Sequence, residues 1–425
     1  MSDERDRLIR RIAAERDRLV QFFRDFVRID TSNPPGDTRA GAAFIRRFLE
    51  ANGIEHRVIA PQDSMPNIVA TFEGATPGPH LVLNGHIDVF PIGDPSRWSR
   101  GPLSGDLVED CVFGRGSVDM KCGTTASVFA FAYLHAMRAR LKGRVTLTVV
   151  SDEETGGRWG SGYLVENHPE VLGDCVLNGE PSSRYTVRFG EKGVFWLRFR
   201  VKTPGAHAAY PHLSASATKI AARLVLELEK LEALKPETSP WLERILANDE
   251  VREAMERGLG RGAVDTAVRL GVNIGVLQGG VKVNMLPGDC VVEADFRLPV
   301  GLSRARVLEE VRAIVRRFPE VTFDEPPETI DATASDPAHP MLRIIQDNAQ
   351  GFAGVRPVPV VTLGGTDCRF WRAKGVPAFV YGCLPDRMGA PDERVPVTEF
   401  LNVVRVHTLS AYDYLVGTVP SAQPA

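Results

Sequence analysis

Four places in the first 180 residues set acidic or imidazole side chains at the end of an apolar run or a glycine-rich turn. They are His86 in Leu83-Asn84-Gly85-His86-Ile87-Asp88, Asp119 in Gly114-Arg115-Gly116-Ser117-Val118-Asp119, the pair Glu153-Glu154, and Glu180 after Asn178-Gly179. One imidazole with several carboxylates is ligand chemistry for a hydrolytic divalent metal. Asp88, two residues beyond His86, can accept the other ring N–H and so fix the tautomer and orientation of a ligand. A carboxylate such as Asp119, in a turn opened by glycines, can approach two ions at once. Of the adjacent Glu153 and Glu154, one can bind metal while the other takes a proton from water. Each feature also has an ordinary reading by itself: a buried histidine bonded to an Asp, an Asp in a tight turn, a solvated strand end. Only their combination favours a metallohydrolase.

The elements that must position these groups alternate. Strands are expected around Asn67–Phe72, His80–Leu83, Val145–Val150 and Cys175–Asn178, with helices over Ala40–Asn52 and Gly123–Arg138. Such alternation implies an α/β fold, a mostly parallel central sheet with helices on both faces, which gathers functional groups at the carboxyl ends of its strands. From about residue 190 the order becomes strand Gly193–Thr203, helix Ala215–Leu234, strands Asn273–Gln278 and Cys290–Leu298, helix Arg304–Phe318 and strand Val321–Phe323. That is the split β-α-β pattern of a ferredoxin-like α+β module, with Pro236–Leu270 as a charged helical insertion in it. Beyond Asp331 the alternation resumes with strands Pro357–Leu363 and Pro377–Tyr381. The expected organisation is therefore a metal-binding catalytic domain, 1–189 with 330–425, interrupted by a module over 190–329.

Bulk properties narrow the classes further. A chain of 425 residues suits two domains, and 43% hydrophobic with 25% charged residues is the composition of a globular protein. A net charge of −3 leaves no basic footprint for nucleic acid. The cysteines at 111, 122, 175, 290, 368 and 383 form no Cys-x-x-Cys pair, which suits a reducing, cytoplasmic setting. Met1–Arg28 reads as an amphipathic surface helix, not a signal peptide, and no apolar run approaches the ~18 residues of a membrane span. There is no internal repeat, and the only low-complexity tract is the tail Ser421–Ala425. No Gly-x-Ser-x-Gly elbow is present, which disfavours a serine hydrolase.

The sequence resembles the family of co-catalytic metallopeptidases that contains the zinc aminoacylases, acetylornithine deacetylases, succinyl-diaminopimelate desuccinylases and glutamate carboxypeptidases. The resemblance runs from Thr31-Ser32-Asn33-Pro34-Pro35 to about Val395. It rests on Gly85-His86-Ile87-Asp88-Val89, Gly114-Arg115-Gly116-Ser117-Val118-Asp119-Met120-Lys121 and Asp152-Glu153-Glu154-Thr155-Gly156. It implies that His86, Asp119 and Glu180 hold one ion, that Asp119 bridges to a second held by Glu154, and that Glu153 is the general base. Pro204-Gly205-Ala206-His207 resembles the stretch whose histidine polarises the scissile carbonyl, often in the neighbouring subunit's site. Asn284 and Arg297 resemble a substrate-anchoring segment, and Gly364-Gly365-Thr366-Asp367 the late glycine-rich loop near the substrate. Arg297 suits a substrate carboxylate because a guanidinium offers parallel donors; its ordinary reading is a salt bridge with Asp295. A homodimer formed through the module is also implied.

One position departs from the family. A histidine is expected just before a Pro-Asn/Asp-Glu triplet, as the last ligand of the second ion. Registering on Pro391-Asp392-Glu393 puts Gly389 there, and the nine histidines leave none between 340 and 406. His407, in the final helix pattern, is a poor substitute. The second site is thus one ligand short unless Asp392, Asp386 or water completes it, and an oxygen-richer site favours Mn²⁺ over Zn²⁺. The expectation is one tightly held divalent ion per subunit, Zn²⁺ or Mn²⁺ with Co²⁺ as an option, and a second weak or absent. The expected reaction is hydrolysis of an amide C–N bond in a small carboxylate-bearing substrate such as an N-acyl amino acid. The rivals are dipeptidase, carboxypeptidase or specialised aminohydrolase action with a single ion, and a non-catalytic binding protein on a degenerate hydrolase fold.

Overall fold

Parallel pairing of three strands decides where the chemistry falls. In the computed structural model, which describes residues 2–325 and 329–417, Thr76–His86 lies between Lys142–Val150 and Cys175–Asn178 and runs parallel to both. The register sets His86 beside Val150 and Asn84 beside Asn178. Their carboxyl ends therefore coincide, and the residues that follow, Glu153 and Glu180, emerge at the same edge as His86. The full sheet has nine strands, extended by Asn67–Glu73 and Arg57–Ile59 on one side and by Ala378–Val380, Thr186–Glu191, Val358–Thr362 and Thr333–Ala334 on the other. The strands nearest the site are buried over the last six residues of both Thr76–His86 and Lys142–Val150, as sheets covered on both faces require. This is the α/β architecture that the alternation implied.

Helices cover the sheet closely. Cys122–Ala136 is buried on nearly every side, because the sheet lies on one face and the C-terminal helix Val397–Val416 on another. Its first turn approaches the end of strand Cys175–Asn178 so tightly that a Cβ on Gly123 would lie 1.9 Å from the carbonyl oxygen of Gly179. Only glycine permits that contact, and the contact seats Glu180 against the helix. His407 is buried in the C-terminal helix, where its Nε2 meets the Tyr381 carbonyl at 2.7 Å and burial lowers its pKa to about 4. Ligation by His407 is thereby excluded, as its setting in the helix pattern suggested.

The chain leaves the large sheet at Glu191 and enters a second, antiparallel one at Gly193. That sheet runs Gly271–Gly279, Asp289–Leu298, Gly193–Lys202, Val321–Asp324, and Thr329–Ile330 also pairs with Gly193–Lys202. Strict alternation of buried and less buried positions along Asp289–Leu298 marks a sheet with one covered face. Helices Ala217–Glu229 and Arg304–Val315 cover it and form a separate core with Leu224, Val292, Phe296 and Val311.

Three details differ from the sequence expectation. The N-terminus is two helices, Ser2–Ala14 and Arg16–Val27, and their apolar faces, with Leu19, Phe23 and Phe26, belong to the main core and not merely to the surface. Strand Thr186–Glu191 was not anticipated, so Gly190 and Glu191 close the large sheet instead of opening the module. The insertion is helical as expected, over Pro240–Ala247, Asp249–Leu259 and Ala263–Ala267, but it packs elsewhere. Val251, Met255, Val264 and Ala267 pack with Val360 of the large sheet, and Leu242 joins the main core. Buried Lys192 ties it down, donating to the carbonyls of Thr266 and Arg269 at 2.7 and 2.6 Å. The tail Ser421–Ala425 falls outside the described residues.

Candidate metal centre

His86 is fully buried, and each ring nitrogen has a distinct partner. Nδ1 donates to the Asp88 carbonyl at 2.9 Å, with the Asp88 carboxylate farther away at 3.5 Å. A carbonyl only accepts, so Nδ1 carries the proton and Nε2 presents a lone pair. Nε2 points at Glu180 Oε1, 3.1 Å away, and at Asp119 Oδ1, 3.2 Å away. A bare lone pair facing two carboxylates is repulsive unless a cation lies between them. Ligand bonds of roughly 2.0–2.2 Å in a tetrahedral shell place donors roughly 3.4 Å apart, close to these separations. His86, Asp119 and Glu180 offer ligand atoms that all lie within 4.8 Å of one another. Asp119 Oδ1 and Glu154 Oε1 are buried and make no hydrogen bond. The donor set fits a divalent cation.

Electrostatics supports the same conclusion. Burial pushes the Glu180 carboxyl up to about 8, with the negative charge of Asp119 adding to it. Burial and Asp119 also hold Glu154 well above the usual range. For His86, burial opposes the charge, but the carboxylates of Asp119, Asp88 and Glu180 around the ring lift its pKa well above normal, favouring a cation at Nε2. Packed carboxylates raise each other's pKa until a cation neutralises them.

The surrounding residues hold the donors in place. The Asp88 carboxylate, expected to orient the imidazole, chiefly organises the next loop. It accepts from Asn33 Nδ2 at 2.9 Å and from the backbone N–H groups of Glu153 and Glu154 at 3.3 and 3.1 Å. The turn carrying Asp119 is fixed by the buried Arg115–Glu393 ion pair, and Glu393 also accepts from the backbone of Val118 and Asp119 at 2.8 and 3.3 Å. Lys121 anchors the far side of that turn by donating to the Phe26 and Ile29 carbonyls at 3.1 and 2.6 Å, and burial lowers its pKa to about 7.

The centre opens into a cleft of about 1030 Å³ lined by Asp119, Glu153, Glu154 and Glu180, by Trp196 and Arg297 of the second sheet, and by Arg257 of the insertion. Burial raises the Glu153 pKa, and Arg369, which donates to its Oε1 at 2.9 Å, pulls it back. Gly365 lines the cleft, whereas the Thr366 hydroxyl turns inward to Glu191 at 2.7 Å. Arg297 lines the cleft while its Nε donates to Asp295 at 2.9 Å. His207 is exposed on a two-stranded ribbon, opposite Met285, and the Asn284 carbonyl accepts from Ala208 beside it; neither side chain lines this chain's cleft. Gly389, at φ +71°, gives its carbonyl to Arg115 at 2.9 Å, and a Cβ there would meet nothing closer than Phe90 at 4.0 Å. Asp392 is engaged with Ser99 at 2.8 and 3.0 Å, so it is no substitute ligand, while Asp386 lines the cleft.

Sequence reasoning missed Arg369, Asp367 as a buried group, and Arg188. Arg369 lies two residues beyond the Gly364–Asp367 motif, and that proximity was the available signal. Asp367 is fully buried with neither carboxylate oxygen hydrogen-bonded, and burial together with Glu153 pushes it up to about 7.

An imidazole and carboxylates at the carboxyl edge of an α/β sheet, beside a free glutamate in a cleft, define a metal-dependent hydrolase of amide or peptide bonds. The chain belongs to peptidase family M20/M25/M40, whose sequence profile matches residues 82–413. Curated relatives include the succinyl-diaminopimelate desuccinylases of Cereibacter sphaeroides strain ATCC 17025, 24% identical over 93% of this chain and 98% of that one, and of Phenylobacterium zucineum, 26% identical over 91% and 96%. Among solved structures, the M20 metallo-carboxypeptidase Sso-CP2 of Sulfolobus solfataricus has a similar fold, with a TM-score of 0.79 at 16% identity over 94% of this chain and 99% of that one. The dipeptidase Dug1p of Saccharomyces cerevisiae gives 0.75 at 14% identity over 98% and 99%.

Proposed function

We propose that this hydrolase removes the acyl group from a small carboxylate-bearing amide of the N-acyl amino acid type. The observation that carries the reading is the position of Glu153, half-buried in the cleft that Asp119 and Glu180 also line, near His86, and steadied by Arg369. A divalent cation held by His86, Asp119 and Glu180 would supply Lewis acidity and would lower the pKa of a water towards ~7. Glu153 then takes the proton of the attacking water and returns it to the leaving amine. Arg369 favours the ionised carboxylate against the effect of burial, and Asp88 fixes the backbone that carries it. Arginines along the cleft make it receptive to an anionic substrate, and full-length similarity to desuccinylases supports deacylation over peptide cleavage.

The reading extends to metal, assembly and location. One Zn²⁺ or Mn²⁺ is held tightly, with Asp119 and Glu154 left to a weak second ion because Gly389 brings no ligand. The unit expected over 190–329, whose own sheet begins at Gly193, acts as a dimerisation and lid domain on the catalytic unit formed by the rest of the chain. In support, strand Gly271–Gly279 ends its sheet with Leu277 exposed, and Val281 and Val283 nearby are 93% and 98% exposed, an apolar edge suited to pairing. Across such a dimer, His207 and Asn284 would serve the other chain's cleft, where His207 polarises the scissile carbonyl. Six unpaired thiols suit the cytoplasm, and among the described residues no helix is long and apolar enough to cross a membrane.

A panel of N-acetyl, N-succinyl and N-formyl amino acids and dipeptides, each with Zn²⁺, Mn²⁺ and Co²⁺, tests the proposal. Turnover of N-acyl amino acids above dipeptides is expected. Cleavage of dipeptides alone would replace deacylation by dipeptidase action, and no turnover of any member would leave a binding protein.

A further inference from the structure

The strand Thr186–Glu191 is buried at all six positions, and Val187 and Phe189 suit that setting. Arg188 between them does not. It is 7% exposed and lines the cleft with Asp119, Glu153 and Glu180, yet no hydrogen bond or ion pair joins its side chain to any described residue. Its Nε is buried without an acceptor. The other buried arginines all have carboxylate partners: Arg115 pairs with Glu393, Arg369 with Glu153 at 2.9 Å, and Arg372 with Glu191 at 3.4 Å. A guanidinium taken out of water and left unpaired is costly, so such a group usually awaits a partner that the protein itself does not supply.

The surroundings indicate what that partner is. Glu180 and Asp119 are the strongest charges acting on Arg188, but neither contacts it within ion-pair distance, as a built counter-ion would. Both are committed to the metal centre. The two arginines nearer the solvent, Arg297 and Arg257, already pair with Asp295 and Glu253. Arg188 is therefore the cleft's available cation at its buried end.

We propose that Arg188 anchors a carboxylate of the substrate, close to the scissile amide, on the inner wall of the cleft. This rests on the reading of the cleft as the site of amide hydrolysis. The planar fork takes a carboxylate through two parallel N–H donors. Because Arg188 and the metal donors share the same end of the cleft, the anchored carboxylate is separated from the scissile carbonyl by a short linker. The substrate class is a compact acylated amino acid or a dicarboxylic acyl amide, and a neutral amide in the carboxylate's place is rejected.

Calorimetric titration of succinate and of its neutral diamide into the Mn²⁺-loaded full-length protein tests this, with Arg188→Met, Arg188→Lys and metal content measured alongside. Succinate should bind the parent saturably and the diamide should not. Arg188→Met should weaken succinate by at least roughly tenfold at unchanged metal content, and Arg188→Lys, which keeps charge but loses the fork, should fall between. Equal affinity in the parent and both variants, or no saturable binding to the parent, would overturn the proposal. Loss of metal in both variants would do so too, making Arg188 a counter-charge for the metal donors. If Arg188→Met does not fold, Arg188→Lys decides alone. Should no N-acyl amino acid be hydrolysed while succinate binding still depends on Arg188, the deacylase reading falls and the anchor stands.

Discussion

Two halves of one centre are built from adjoining residues and differ in completeness. Around His86, every donor residue is buried, the imidazole is oriented by the Asp88 carbonyl, and the separations match a single cation. Around Glu154, the residue is half-buried with its Oε1 buried and without a partner, and at Gly389, where the family resemblance would put a further donor, there is open space beyond the Cα. The supporting structure survives on that side as well. Glu393, four residues past Gly389, still fixes the Asp119 turn through Arg115 and two backbone N–H groups. The scaffold is therefore intact beside Gly389 although that residue offers no donor, because the scaffold serves the first half too.

Several substitutions break or sharpen that contrast. Glu153→Gln should have the largest effect, lowering turnover by roughly 10²–10⁴-fold while metal content stays at the parental level; retained turnover would remove Glu153 from the role of base. Glu393→Ala leaves Arg115 buried and unpaired and should destabilise the fold by about 3–5 kcal/mol, read as the shift in a urea melt. If stability is unchanged, the ion pair does not hold the Asp119 turn. Asp88→Ala frees the loop carrying Glu153 and Glu154 and should weaken metal binding by roughly 10–100-fold, measured by competition with a chelator. Arg369→Met removes the group that lowers the Glu153 pKa. That pKa rises, the base is protonated at higher pH, and the acid limb of kcat/KM moves upward; an unmoved limb would show that Arg369 does not tune the base. Gly389→His should add firm binding of a second ion, since histidine is among the residues that tolerate positive φ.

The sheet and the first metal site were legible in the sequence for a local reason. Motifs at strand ends carry their own geometry once the strands run parallel, so a shared edge for these groups could be expected from their order. The grouping of His86, Asp119 and Glu180 on one ion was what the family resemblance implied. The insertion was legible only in part. Its amphipathic pattern says that Val251, Met255 and Val264 are covered, but not that Val360 of the other unit covers them. Arg188 was illegible for the converse reason. The strand Thr186–Glu191 was not read from the sequence at all, and the lack of a partner for Arg188 appears only once the strand places it, buried, on the wall of the cleft. Asp88 was expected to orient the imidazole, whereas its carboxylate chiefly holds the Glu153–Glu154 backbone, a contact 65 and 66 residues away in the chain.

The most direct test of the metal centre is metal analysis of the purified protein after gel filtration, compared with His86→Ala. The account predicts one firmly bound divalent ion per chain in the parent and none in the variant. Two firmly held ions in the parent, or an ion retained without His86, would contradict it.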